Sequence, residues 1–141
     1  MNFLAAVVAG LVGTLIMTMI MKMAPKMGMP KMDIIGMLGS MFTDDTGSAK
    51  KMGLFLHLMM GVVFAIIYAL LWQAGIGSIS WVWGLIFGFV HALVIAVMLP
   101  IVMRMHPRPP AMEGGIMTIM GLIIGHLAFG LVTVLVYAAM I

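Results

Sequence analysis

The sequence predicts an all-α, polytopic membrane protein: a four-transmembrane-helix bundle forming a single membrane domain over residues 1–141. Three observations carry that expectation. Hydrophobic residues make up 65% of the chain and charged residues 8%, against about 45–50% and about 25% in soluble domains. Four apolar segments each reach the roughly 20 helical residues that cross a hydrocarbon core. The charged side chains gather between those segments. The same composition argues against a soluble domain, a disordered chain and a nucleic-acid binder. With no cysteine in the chain, disulfides, thiolate metal sites and cysteine nucleophiles are excluded.

The first span covers about residues 3–21 and ends at Lys22. It reads as a mature helix, because it lacks the basic start and small-residue cleavage site of a signal peptide. Pro25 and Pro30 then exclude a continuous helix. From about residue 32 to 42, Ile34, Ile35, Leu38, Met41 and Phe42 share one helical stripe, with Gly36, Gly39 and Ser40 off it. A short interfacial helix fits that pattern, with a re-entrant helix packed on the bundle as the competitor. The polar run Thr43 to Ser48 can cap the second span. That span covers about 48–73, its apolar part beginning at Met52. A short link, Ala74–Ser80, leads to the third span, about 81–103, and Arg104–Glu113 leads to the fourth, about 114–141.

Charge placement sets the expected orientation. All 7 Lys and Arg (Lys22, Lys26, Lys31, Lys50, Lys51, Arg104 and Arg108) lie in the first and third connections. The positive-inside rule makes that side cytoplasmic and puts both termini outside, in a bacterial inner membrane. These cations are expected to meet lipid headgroups or a partner. Tyr68, Trp72, Trp81, Trp83 and Tyr137 would mark the outer interface as an aromatic belt.

Two features suggest a duplicated helical hairpin. The segment His57–Ala69 aligns without gaps on His126–Ala138, sharing His, Gly and Tyr at equal spacing. Gly10-Leu-Val resembles Gly84-Leu-Ile, and Met23-Ala-Pro25 resembles Met98-Leu-Pro100. Small residues recur at four-residue spacing on every span: Ala5, Ala9, Gly13; Gly61, Ala65, Ala69; Gly84, Gly88, Ala92, Ala96; and Gly121, Gly125. Such stripes let helices approach closely. They serve this bundle or a further surface for other membrane subunits or a homo-oligomer.

Three of the 4 histidines, His57, His91 and His126, lie inside spans, where an ionisable group is expensive. Counted inward from the aromatic positions at 1.5 Å per residue, they share a layer roughly 12–16 Å deep. Four roles remain open for that layer. A metal such as copper would use neutral imidazoles with thioethers from Met17 or Met60. Haem b would take His57 and His126 as axial ligands, with Arg104 and Arg108 toward the propionates. Proton transfer needs only titratable groups and water. A structural role would bond each ring to Thr14, Thr18, Thr133 or a carbonyl on another helix. His106, in a proline-stiffened basic turn, is expected at the surface.

All of the 20 methionines except Met1 and Met140 fall on the cytoplasmic side of this topology. The densest run contains Met17, Met19, Met21, Met23, Met27, Met29 and Met32. Thioethers suit Cu(I), and equally serve as flexible packing. No catalytic triad, paired carboxylate, phosphate loop or zinc spacing is present.

The expected function is therefore non-enzymatic: an accessory or structural subunit of a larger membrane complex, holding a metal or haem at the histidine layer. The alternatives are a stand-alone copper-handling or b-haem redox protein, and a small oligomeric channel or transporter. The run Ala24-Pro-Lys-Met27-Gly28-Met-Pro30-Lys-Met32-Asp33-Ile34, followed by Leu38-Gly39, His57, Gly61 and Tyr68, resembles an uncharacterised bacterial family of small four-helix membrane proteins, a domain of unknown function. The resemblance covers mainly the chain up to about residue 100. It implies a four-span bundle and no activity.

Overall fold

Backbone polar groups in hydrocarbon must be paired within their own segment, and the regular elements of the described residues are all helical. The computed structural model of the protein describes residues 1–110 and 115–141. Four helices are long and apolar enough to cross a membrane. They are α1 (Phe3–Met23), α3 (Thr46–Gln73), α4 (Trp81–Met105) and α5 (Ile116–Ala139), with the short α2 (Ile34–Ser40) between the first two. The protein is thus an all-α, multi-pass membrane protein whose outer faces meet lipid.

Local chemistry sets the boundaries. The Asn2 side chain caps α1 by accepting from the Ala5 amide. Instead of stopping at Lys22, α1 runs to Met23 and tightens into a 3-10 turn over Ala24–Met27. Pro25 opens that turn and Gly28 closes it at φ 81°, a left-handed conformation that suits glycine. Asp33 caps α2 through the Gly36 amide, and Asp45 caps α3 through the Ser48 amide. Both acidic caps sit against helix N-termini, where negative charge is favoured. The Asp45 carboxyl is held below its ordinary value, first by its bonds to Ser48. Helix α4 passes through Pro100 to Met105, two residues beyond the expected end. Gly114, the expected start of the fourth span, and Glu113 lie outside the described residues.

Helix α2 is shorter than the expected 32–42 and uses a different face. Met37 and Gly39 are buried, whereas Phe42 is 65% exposed. Gly39 lies against the Ala49 backbone of α3, and Gly53 of α3 lies against the Ile35 carbonyl. The contact is backbone to backbone through Gly39, which lies off the apolar stripe, and Gly53 of α3. Close approach needs absent side chains, and the apolar stripe is left for the chamber and the bilayer. Helix α2 is therefore packed on the bundle.

The long helices pack in the spatial order α3–α1–α5–α4. Helices α3 and α4, consecutive in sequence, are not a closely packed pair. The small-residue stripes explain the close pairs. A Cβ at Gly10 would lie 2.7 Å from the Gly61 carbonyl oxygen, and one at Gly84 would lie 2.7 Å from the Gly130 carbonyl oxygen. The two hairpins thus cross at corresponding glycines, in the register that pairs Gly10 with Gly84 and Gly61 with Gly130. The Pro25–Pro100 pairing is one residue out of this register. Between α1 and α5, Gly13 faces Thr133 and Phe129. In the same register the α3–α4 counterparts of Gly13 and Thr133 are Phe87 and Phe64. Bulk replaces smallness at that seam, and the helices stand apart. The stripes are buried within this chain, apart from half-buried Ala96.

Candidate functional site

The wide seam between α3 and α4 opens onto a chamber halfway along the bundle. Its volume is about 110 Å³, and His57, His91 and His126 all line it. The three histidines expected to share a layer therefore surround one space. Met17 and Met21 of α1 form one wall, Phe64 and Met60 of α3 another, and Ile34, Met37 and Leu38 of α2 the floor. Met60 and Met98 line the chamber and remain 38% and 45% exposed. The mouth therefore lies at the seam.

Each histidine is held differently. His126 Nδ1 donates to the Leu122 carbonyl at 2.8 Å. A carbonyl can only accept, so the lone pair of this neutral ring resides on Nε2. His91 Nδ1 lies 3.3 Å from the Tyr68 hydroxyl, and its ring stacks on Phe64 at 3.6 Å. His91 and His126 meet edge to face, 4.6 Å between centroids. His57 is 9% exposed, and its buried Nδ1 has no hydrogen-bond partner. The expected threonine partners are not used. Thr14 and Thr18 donate to the carbonyls of Gly10 and Thr14, back along their own helix, and Thr133 Oγ1 is buried without a partner.

The duplication register identifies a fourth member of the site. Gly10 precedes Met17 by the same seven residues that separate Gly84 from His91. Met17 is thus the counterpart of His91, as His57 is of His126. Both pairs face the chamber, and Met17 is 4% exposed. Met21 and Met17 also pack at the smooth surface left by Gly125, where a Cβ would sit 3.3 Å from the Met21 sulfur. The sequence signal was present in the glycine register, but spans one and three are otherwise too dissimilar to reveal it.

As a metal centre the set is incomplete in protein nitrogen and oxygen. Among the described residues no three His, Asp or Glu groups are placed to hold one metal ion. A site here would need thioethers. Haem b does not fit the chamber as it stands. Its volume is about 110 Å³, below the about 150 Å³ of a cavity that accepts benzene. Arg108 is also committed elsewhere, donating to the Ser40 carbonyl at 3.0 Å.

A second, larger cavity of about 620 Å³ lies on the lysine-rich side of His57, between α1, α2 and the start of α3. Lys22, Lys26, Lys31 and Lys50 line it, with Asp33 as the single acidic group among its lining residues. Lys51 and Arg104 are exposed and line neither cavity. The methionine run divides. Met17 and Met21 are buried, Met32 is half-buried at the second cavity and near Gly121, and Met29 is half-buried. Met19, Met23 and Met27 are 59%, 56% and 74% exposed. A single soft-metal loop does not form from all of them.

Two further expectations change. His106 is buried at 5% exposure, because its ring bridges the end of α4 to α2. Tyr68, Trp72 and Tyr137 form an interior cluster with Phe87 and Phe129. Only Trp81, 61% exposed, and half-buried Trp83 remain of the expected belt. The aromatic rings fill the space that the wide α3–α4 seam creates. Compared with known protein families, curated proteins and solved structures, the chain matches none.

Proposed function

We propose that this chain is a non-enzymatic membrane subunit of the bacterial inner membrane, with its basic connections cytoplasmic and both termini outside. Its working part is the histidine chamber, which holds a segment of a hydrophobic ligand drawn from the bilayer. One observation carries this reading: His57 Nδ1 is buried beside two cavities with no partner. Leaving such a group unmade costs about 1–3 kcal/mol. His57 lines both cavities while this atom is itself closed to them, so a ligand oxygen would satisfy it once a neighbouring flexible side chain yields. The apolar lining and the mouth at Met60 and Met98 suit a guest that arrives from lipid. The absence of paired carboxylates or a nucleophile–base pair in the sequence supports binding over catalysis. The test is isolation of the full chain in native lipid nanodiscs, followed by mass spectrometry of what co-purifies. Wild type should carry one tightly held molecule with an apolar chain, part of it in the chamber and the rest in the α3–α4 seam, lost in Leu99→Trp, which fills the chamber. Equal retention by that variant refutes the reading, provided its helix content is unchanged.

A Cu(I) site is the second reading, favoured by the His126 geometry. A ring fixed through Nδ1 presents Nε2 as a ligand, and the Met21 sulfur and the Met17 side chain lie beside Gly125 on the same chamber wall. It predicts one equivalent of Cu(I), lost in both His126→Ala and Met17→Leu. Titration without stoichiometric binding removes it.

A further inference from the structure

The chamber has a charged neighbour. The lysine-lined cavity and the apolar chamber share three lining residues, Met21, Ile34 and His57. Those side chains form the partition between them. On one side are Lys22, Lys26, Lys31 and Lys50. Among the described residues none of the four is ion-paired, and Asp33 is engaged in capping, accepting the Gly36 amide at 2.8 Å. On the other side are methionine, leucine and phenylalanine side chains. At the partition stands His57, whose buried Nδ1 has no hydrogen-bond partner. Met21 is unbranched and flexible, so the partition can yield to a chain.

A small free anion would use only the lysines, and a neutral lipid would use only the chamber. Basic and apolar compartments joined at a polar atom match one kind of molecule. It bears an anionic group, then a carbonyl oxygen, then a hydrocarbon chain. We propose that the two cavities form a single site for one anionic phospholipid of the cytoplasmic leaflet. Its phosphate is held by Lys22, Lys26, Lys31 and Lys50, an ester carbonyl accepts from His57, and one acyl chain enters the chamber. The chamber takes a segment of that chain, and the α3–α4 seam lets the remainder reach the bilayer. This assignment rests on the chamber being a ligand site and names its ligand class. It differs from ordinary headgroup contact, because the chain lies inside the protein.

The experiment uses the full chain in nanodiscs with two photoreactive probes, phosphatidylglycerol and phosphatidylcholine, each with a diazirine on one acyl chain. Labelled peptides are read by mass spectrometry. Phosphatidylglycerol should label Met17 and Leu122, which are 4% and 3% exposed and closed to bulk lipid. It should exceed phosphatidylcholine there by about tenfold, as several lysines acting on one phosphate imply. Labelling should fall roughly fivefold in Lys22→Gln with Lys50→Gln, and stay unchanged in Lys51→Gln, whose residue lines neither cavity. These are exposed positions, so folding is not at stake. Equal labelling by the two lipids overturns the anionic assignment and leaves the chamber as a ligand site. No interior labelling by either lipid overturns both. Loss of labelling on adding inorganic phosphate or palmitate, at the concentration of the lipid probe, assigns the lysines to a free anion or a fatty acid and overturns the phospholipid.

Discussion

His106 Nε2 meets the Met37 carbonyl oxygen at 2.9 Å, joining the end of α4 to the middle of α2. The tautomer follows from the other nitrogen. His106 Nδ1 accepts the Arg108 amide at 3.0 Å, so Nε2 carries the proton and donates. This buried ring, with Ser40 Oγ 3.4 Å away, holds the floor of the chamber against its α4 wall. Replacing it removes the buried ring and its bond, leaving the Met37 carbonyl with the weaker Ser40 hydroxyl at 3.1 Å. His106→Ala is expected to cost about 1–3 kcal/mol and to speed amide exchange in α2 more than in α5. Arg108→Ala, which removes an exposed bond to Ser40, should have the smaller effect. Equal exchange in α2 and α5 after His106→Ala would contradict this linkage.

The paired glycine crossings make a symmetrical prediction. Gly61→Val and Gly130→Val occupy corresponding places in the two hairpins, the first against the Thr14 side chain and the Gly10 carbonyl, the second against the backbone of Gly84 and Gly88. Each should destabilise by about 1–3 kcal/mol through overpacking. Gly47→Ala is the control, because the nearest atom to its added Cβ is Asp45 Oδ1 at 3.5 Å. Unfolding titrations in mixed detergent would measure all three. A large loss in only one crossing would argue against equivalent hairpins.

Asp45 gives a pH dependence whose sign is determined. Its folded value is depressed by the bonds to Ser48. Its contribution to the first turn of α3 is therefore present above the unfolded value, near pH 3.9, and lost as pH falls through the folded one. Exchange of the Thr46–Ala49 amides should accelerate on acidification below about pH 4. In Asp45→Asn this acid step should vanish. Persistence of the step would assign it to another group.

Orientation can be read with thiol reagents, since the chain has no cysteine of its own. Ser78→Cys, in the exposed link between α3 and α4, should react with an impermeant reagent added outside the cell. Lys26→Cys should react only after the membrane is opened. The opposite pattern would invert the proposed topology.

How much of this was legible before folding depends on range. Apolar length alone marked the four membrane helices, because hydrocarbon thickness sets a minimum segment and the chain meets it four times. The caps were also local: Asp33 and Asp45 act on amides three residues away. The histidine layer could be reached by counting rise per residue, since helices make depth nearly linear in sequence. The choice of packed face on α2 could not. Its apolar stripe was visible, yet glycine decided the contact, because backbone approach depends on the partner surface at Ala49 and Gly53.

The sequence by itself determined a membrane protein of four helices, its one-sided charge and three histidines at comparable depth, all from composition and periodicity. Tertiary structure alone decided which neighbours those helices choose. Gly13 and Thr133 bring α1 and α5 together, while the bulk of Phe64 and Phe87 holds α3 and α4 apart. That inequality opens the chamber, draws Tyr68, Trp72 and Tyr137 inward, and places His57 between lysines and hydrocarbon. The physical reason is that side-chain volume acts across pairs of helices, and pairing is a property of the folded chain.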